Sequence, residues 1–163
     1  MGAQSDAIVA SLTRQVELAA KALVLEIVAN LVKATPVATG WARANWIPSI
    51  GTPATTVAGS PGAVNDGDQQ AAIATVLRFT LDQAVLYVSN NVPYIALLNY
   101  GSSKQAPALF VEYCVMQALL TIQAKMAGKV DLSALVETYR AQVQQKIVAH
   151  NIVRAFHALR RSA

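Results

Sequence analysis

The sequence predicts an α+β domain that is mostly helical: a long N-terminal helix, a small antiparallel sheet, a central buried helix and an amphipathic C-terminal helix. Three observations predict it. Thirty of the 163 residues are Ala while aromatics make up 6%, so the core must come from small and aliphatic side chains that favour helices. Three stretches, near 5–34, 108–127 and 131–161, space their apolar residues by three and four or are apolar nearly all round, as helices do. Between the first two, nine Pro and Gly residues punctuate 35–68 and an alternating run follows near 85–90, which suits turns and short strands.

In the first stretch Ile8, Leu12, Val16, Ala20, Leu23, Ile27 and Leu31 form one helix face, expected to be the buried one. Ser5 or Asp6 is positioned to cap its start, Arg14, Glu17 and Lys21 support the opposite face, and Pro36 ends it. Trp46, Ile47 and Ile50 read as a short strand that Pro48 confines to an edge or a bulge. Residues 51–68 read as a long polar loop, a length usually associated with function or disorder. Asp66-Gly67-Asp68 lacks the other ligands of a calcium loop and is expected to be a turn.

A helix is predicted over 69–80, with Ile73, Val76, Leu77 and Thr80 on one side, and a strand over 85–90. Asn90-Asn91-Val92-Pro93 is turn chemistry. Tyr94 to Tyr100 reads as a short helix stopped by Gly101. Pro107 fits the first position of the next helix, from about 108 to 127, ended by Gly128. Asp131 is placed to cap a last helix whose stripe is Leu132, Val136, Tyr139, Val143, Ile147, Ile152, Phe156 and Leu159. The expected division is a domain over 1–128 and a helical extension over 129–163.

Charge sharpens that division. Residues 1–128 carry seven Lys/Arg and seven Asp/Glu, whereas 129–163 carry six against two, so the whole net charge of +4 lies in the tail. Charged residues are 13% of the chain, about half the usual share, which leaves apolar surface to be covered by other subunits. The single cysteine, Cys114, excludes an internal disulfide. No signal peptide is visible, no segment has about 20 nearly charge-free apolar residues, and a cytoplasmic site of synthesis without membrane contact is expected. His150 and His157 stand seven apart without neighbouring acids or thiols, a poor metal motif, and no phosphate-binding glycine loop is present. The expectation is a protein that is not an enzyme and takes no cofactor.

Two blocks combine aromatics with fixed backbone geometry. The first, Thr35-Pro36-Val37-Ala38-Thr39-Gly40, runs into Trp41, Arg43 and Trp46; the second contains Asn90-Asn91-Val92-Pro93-Tyr94, Asn99-Tyr100-Gly101 and Ser103-Lys104-Gln105-Ala106-Pro107. Over roughly residues 5–127 they resemble the small neck or tail-completion proteins of tailed bacteriophages, a family also described as minor tail components. Its members carry Thr-Pro-Val-Asp-Thr-Gly before an Arg and a Trp, then Asn-Asn-x-Pro-Tyr, Glu-Tyr-Gly and Ser-x-x-Ala-Pro. This chain departs from that pattern at Ala38, Asn99 and Leu109, where the family usually has Asp, Glu and Gly.

The resemblance implies a structural virion protein at the head–tail junction, made in the host bacterial cytoplasm. It would form a homo-oligomeric ring, a hexamer or dodecamer, against connector and tail proteins, with DNA passing through the channel. Trp41, Arg43, Trp46, Asn90, Asn91, Pro93, Tyr94, Tyr100, Gly101 and Pro107 would then support the turns or the subunit interface. An alternative from the charge pattern is a basic helical nucleic-acid-binding module acting through Lys146, Arg154, Arg160 and Arg161. The last helix could equally serve as an arm docked on a neighbour.

Overall fold

The computed structural model describes residues 2–59, 67–83 and 85–161. Its elements are α1 (Gly2–Ala34), α2 (Trp41–Ala44), β1 (Ile47–Ile50), α3 (Gly67–Leu77), β2 (Leu86–Ser89), α4 (Ile95–Asn99), α5 (Phe110–Lys125) and α6 (Ser133–Arg161), with a 3-10 turn at Leu81–Gln83 before β2. The class is α+β and mostly helical, as the sequence predicts. Helices α6, α5 and α1 pack in that succession, and α3 lies against α1 and β1 beyond them.

Strands β1 and β2 make a two-stranded antiparallel sheet with Ile47 opposite Ser89 and Ile50 opposite Leu86. Pro48 sits inside β1, opposite Val88. A proline fits there because in a two-stranded sheet each strand is an edge, with one side of its backbone free of ladder bonds. The core gathers Leu31 of α1, Trp46, and Phe110 and Cys114 of α5, packed around by Ile27, Val88, Ile95 and Leu98.

Helix α1 ends where Thr35 Oγ1 bonds the carbonyl of Leu31, one turn before Pro36. Its start differs from the expectation. The helix is already formed at Gly2, so Ser5 is interior and donates its hydroxyl to the Gly2 carbonyl instead of capping. The apolar face also divides in two: Leu31 is buried, whereas Ile8, Leu12 (55% exposed) and Val16 are open. Thirty-three residues make a helix about 50 Å long, longer than the α5 surface that it covers. Stripe periodicity gives the direction of a face and not the extent of its partner.

Four further boundaries move. Gly67 and Asp68 open α3 and are not a turn, while Asp66 lies outside the described residues. Helix α3 closes at Leu77, three residues before the expected end. The strand expected over 85–90 forms over Leu86–Ser89. Helix α5 begins at Phe110, so Pro107 lies three residues ahead of it. The cause is Leu109, which adopts a left-handed φ of 64° and gives its N–H to the Asn99 carbonyl. Helix α5 is buried through Phe110, Cys114, Ala118, Leu119 and Ile122 but exposes Tyr113 and Gln117. Asp131 does cap α6, accepting the Ser133 N–H at 2.9 Å, and that bond draws its carboxyl below the usual range.

Candidate functional site

The two sequence blocks meet in one corner of the molecule. Trp46 is 8% exposed and donates its indole N–H to Thr35 Oγ1 at 2.7 Å, joining the end of β1's approach to the end of α1. Trp41 and Tyr94 lie with ring centroids 6.0 Å apart and planes tilted by 54°, a favourable aromatic arrangement. Asn90 Nδ2 donates to the Ala42 carbonyl at 2.8 Å, and its Oδ1 accepts the Val92 N–H, closing the turn into Pro93. Gln105 bonds both the N–H and the carbonyl of Val37, at 2.9 and 3.2 Å, as a strand neighbour would.

The same corner holds the first part of the expected loop. Asn91 Nδ2 donates to the carbonyls of Ala54 and Thr56, and the Trp41 indole N–H and Asn45 Nδ2 both donate to that of Ala58. Asn45 Oδ1 accepts the Ala58 N–H at 2.6 Å. Carbonyls at 54, 56 and 58 recur with the period of an extended chain, so side-chain amides and an indole replace a partner strand. Asn45 is fully buried. The sequence does not reveal its importance, because beyond the local Trp41 carbonyl its partner is Ala58, 13 residues away in a run without periodicity.

Gly40 and Gly101 take left-handed φ values of 82° and 88°, and a Cβ on Gly101 would meet Ala108 Cβ at 3.1 Å. Glycine avoids backbone strain at both positions and a collision at Gly101. Pro93 and Pro107 are exposed at the ends of the turns. Facing outward are Arg43, Leu97 and Tyr100, the last 62% exposed. Among the described residues the Arg43 guanidinium has no ion pair; it borders an apolar cavity of about 270 Å³ between α1, α2 and α3. Ala38 is exposed as well and offers it no charge.

Asn99 serves a different purpose. Its Oδ1 accepts the Val111 N–H at 3.0 Å, capping the first turn of α5, and its Nδ2 donates to Glu112 Oε2 at 2.9 Å. A carboxylate at 99 could accept but not donate, and would oppose Glu112. Lys146 of α6 reaches the other oxygen, Glu112 Oε1, at 2.8 Å. Burial alone pushes the Glu112 carboxyl up; the bonds from Lys146 and Asn99 outweigh it and leave the group below its ordinary value. Burial also pushes the Cys114 thiol up to about 11. It raises the Tyr139 hydroxyl to about 12, with the charges of Glu112 and Cys114 adding to the effect.

The four cations singled out on the last helix do not act alike. Lys146 is committed to Glu112, Arg154 is exposed without an ion pair among the described residues, and of Arg160 and Arg161 only the backbone, in α6, is described. No group of three or more His, Cys, Asp and Glu among the described residues is arranged to hold a metal ion. Nor is any described helix long and apolar enough to cross a membrane. No protein-family model, curated protein or solved structure gives a significant match to this chain.

Proposed function

We propose that the chain is a structural virion protein of a tailed bacteriophage, a ring-forming neck or tail-completion component that joins the tail to the head connector. One observation carries this reading beyond the motif resemblance. The outer half of α1 presents Ile8, Val9, Leu12, Val16 and Leu18 to solvent in a chain with few charges. A contiguous apolar face of that kind marks an interface. The motif corner supports the same reading, since it spends its amides on making rigid turns and leaves Arg43 and Tyr100 facing out, residue types enriched at interface centres.

The test is the mass of the purified chain by light scattering over a concentration series, with negative-stain imaging of large species. A discrete multiple near six or twelve copies with a central hole is expected, and Leu12→Glu with Val16→Glu is expected to reduce it to monomer without loss of helicity. A wild-type chain that stays monomeric, and whose Arg43→Ala form is incorporated into virions normally, overturns the proposal.

A further inference from the structure

A second site adjoins the motif corner at Tyr100, where α6 passes the end of α4. Tyr100, Leu109, His150, Val153, Arg154 and His157 line a cleft of about 540 Å³, within the ~300–1,000 Å³ of ligand-binding clefts. The Tyr100 and His150 rings stack there with centroids 6.2 Å apart and planes within 15°. His150 Nε2 is buried and has no hydrogen-bond partner, although buried polar atoms are nearly always paired. Lys146 also borders the cleft, but its charge answers Glu112. That leaves Arg154 as a cation without an ion pair among the described residues, flanked by two imidazoles, over a floor made by Leu109 and Val153.

We infer that this cleft binds an acidic peptide segment of a partner protein, one that carries a large apolar anchor beside Asp or Glu. The anchor fills the floor against Leu109 and Val153, while the carboxylates meet Arg154 and His157 at the rim. Ionised carboxylates pair well with a guanidinium fork. A nucleic-acid backbone fits less well. It needs a row of free cations, and here one of the cations is neutralised within the fold and the floor is hydrocarbon. The inference does not require the ring, because every residue named belongs to one chain.

The experiment is a selection from a random displayed-peptide library on the full-length chain, counter-selected against Arg154→Glu, followed by fluorescence anisotropy of a synthesised winner. Expected are sequences joining an aromatic or large aliphatic residue to at least two acids. Their affinity should fall tenfold or more on Arg154→Glu and on Val153→Lys, with far-UV circular dichroism unchanged in both variants, and replacing the peptide's acids by Lys should abolish binding. The inference is overturned by no enrichment, by winners lacking acids, or by affinities that neither variant alters. It is overturned too if a 20-base-pair DNA duplex displaces the peptide, which assigns the cleft to nucleic acid, or if Arg154→Glu changes the mass of the chain in solution, which assigns it to a second copy. Since the selection reads the cleft in monomer and ring alike, its failure leaves the ring proposal standing.

Discussion

Lys146 of α6 closes on the buried carboxylate of Glu112 in α5 at 2.8 Å, across 34 residues of sequence. Beside the apolar contacts of Val136 and Val143, both buried, this pair fixes how the last helix lies on the rest of the fold. Lys146→Met is expected to lower stability by about 1–3 kcal/mol, because it leaves a buried acceptor short of a donor; Lys146 keeps over half its side chain in water, so solvent screening holds the loss below that of a fully buried pair. Urea unfolding of both forms checks the figure.

Acid should act on the same pair. The folded Glu112 carboxyl ionises below its ordinary value, so the stability it adds is present above the unfolded value of about 4.3 and is lost as pH falls through the lowered folded value. The stability difference between wild type and Glu112→Gln should therefore be constant near pH 6–7 and shrink towards pH 3. A difference that grows in acid would contradict the assignment.

Asn45 is the support of the 54–58 run. Asn45→Ala strands the N–H of Ala58 next to a buried hole and removes one of the two donors to its carbonyl, which the Trp41 indole still reaches. A loss of about 2–3 kcal/mol is expected, with earlier proteolytic cleavage within 51–59.

Gly101→Ala combines a left-handed φ with a 3.1 Å approach to Ala108 Cβ. The expected cost is about 1–3 kcal/mol, read as a lower thermal midpoint, whereas Gly128→Ala meets no neighbour and should cost only the backbone strain.

Cys114 is buried with its thiol raised to about 11, and thiolate is the reactive form. Reaction with a disulfide reagent at pH 8 should be at least a hundredfold slower in the native chain than in urea.

Five of the six α-helices, the edge strand with Pro48, the left-handed turn at Gly101 and the Asp131 cap were legible because each rests on local geometry: a period, a missing N–H, a positive φ or an acceptor two residues from its donor. The single turn of α2 (Trp41–Ala44), in a stretch read as too broken for helix, was not. What the sequence hid depends on distant partners. Glu112 reads as an ordinary polar interruption of an apolar helix until Asn99 and Lys146 arrive from either side. Asn45 looks like one more loop amide until Ala58 folds back on it. The start of α5 moved because Leu109 accepted a backbone conformation that its residue type disfavours, a choice fixed by Asn99 and by burial among core side chains.

A helix gripped along only half its length behaves as a lever. The 15 residues of α1 before Glu17, whose carboxylate accepts the Leu81 N–H at 3.0 Å, extend about 22 Å beyond that anchor, so a tilt of about 5° there sweeps the free end through about 2 Å. In the ring proposed above, identical copies would thus meet neighbours at unequal angles while their cores stay unchanged.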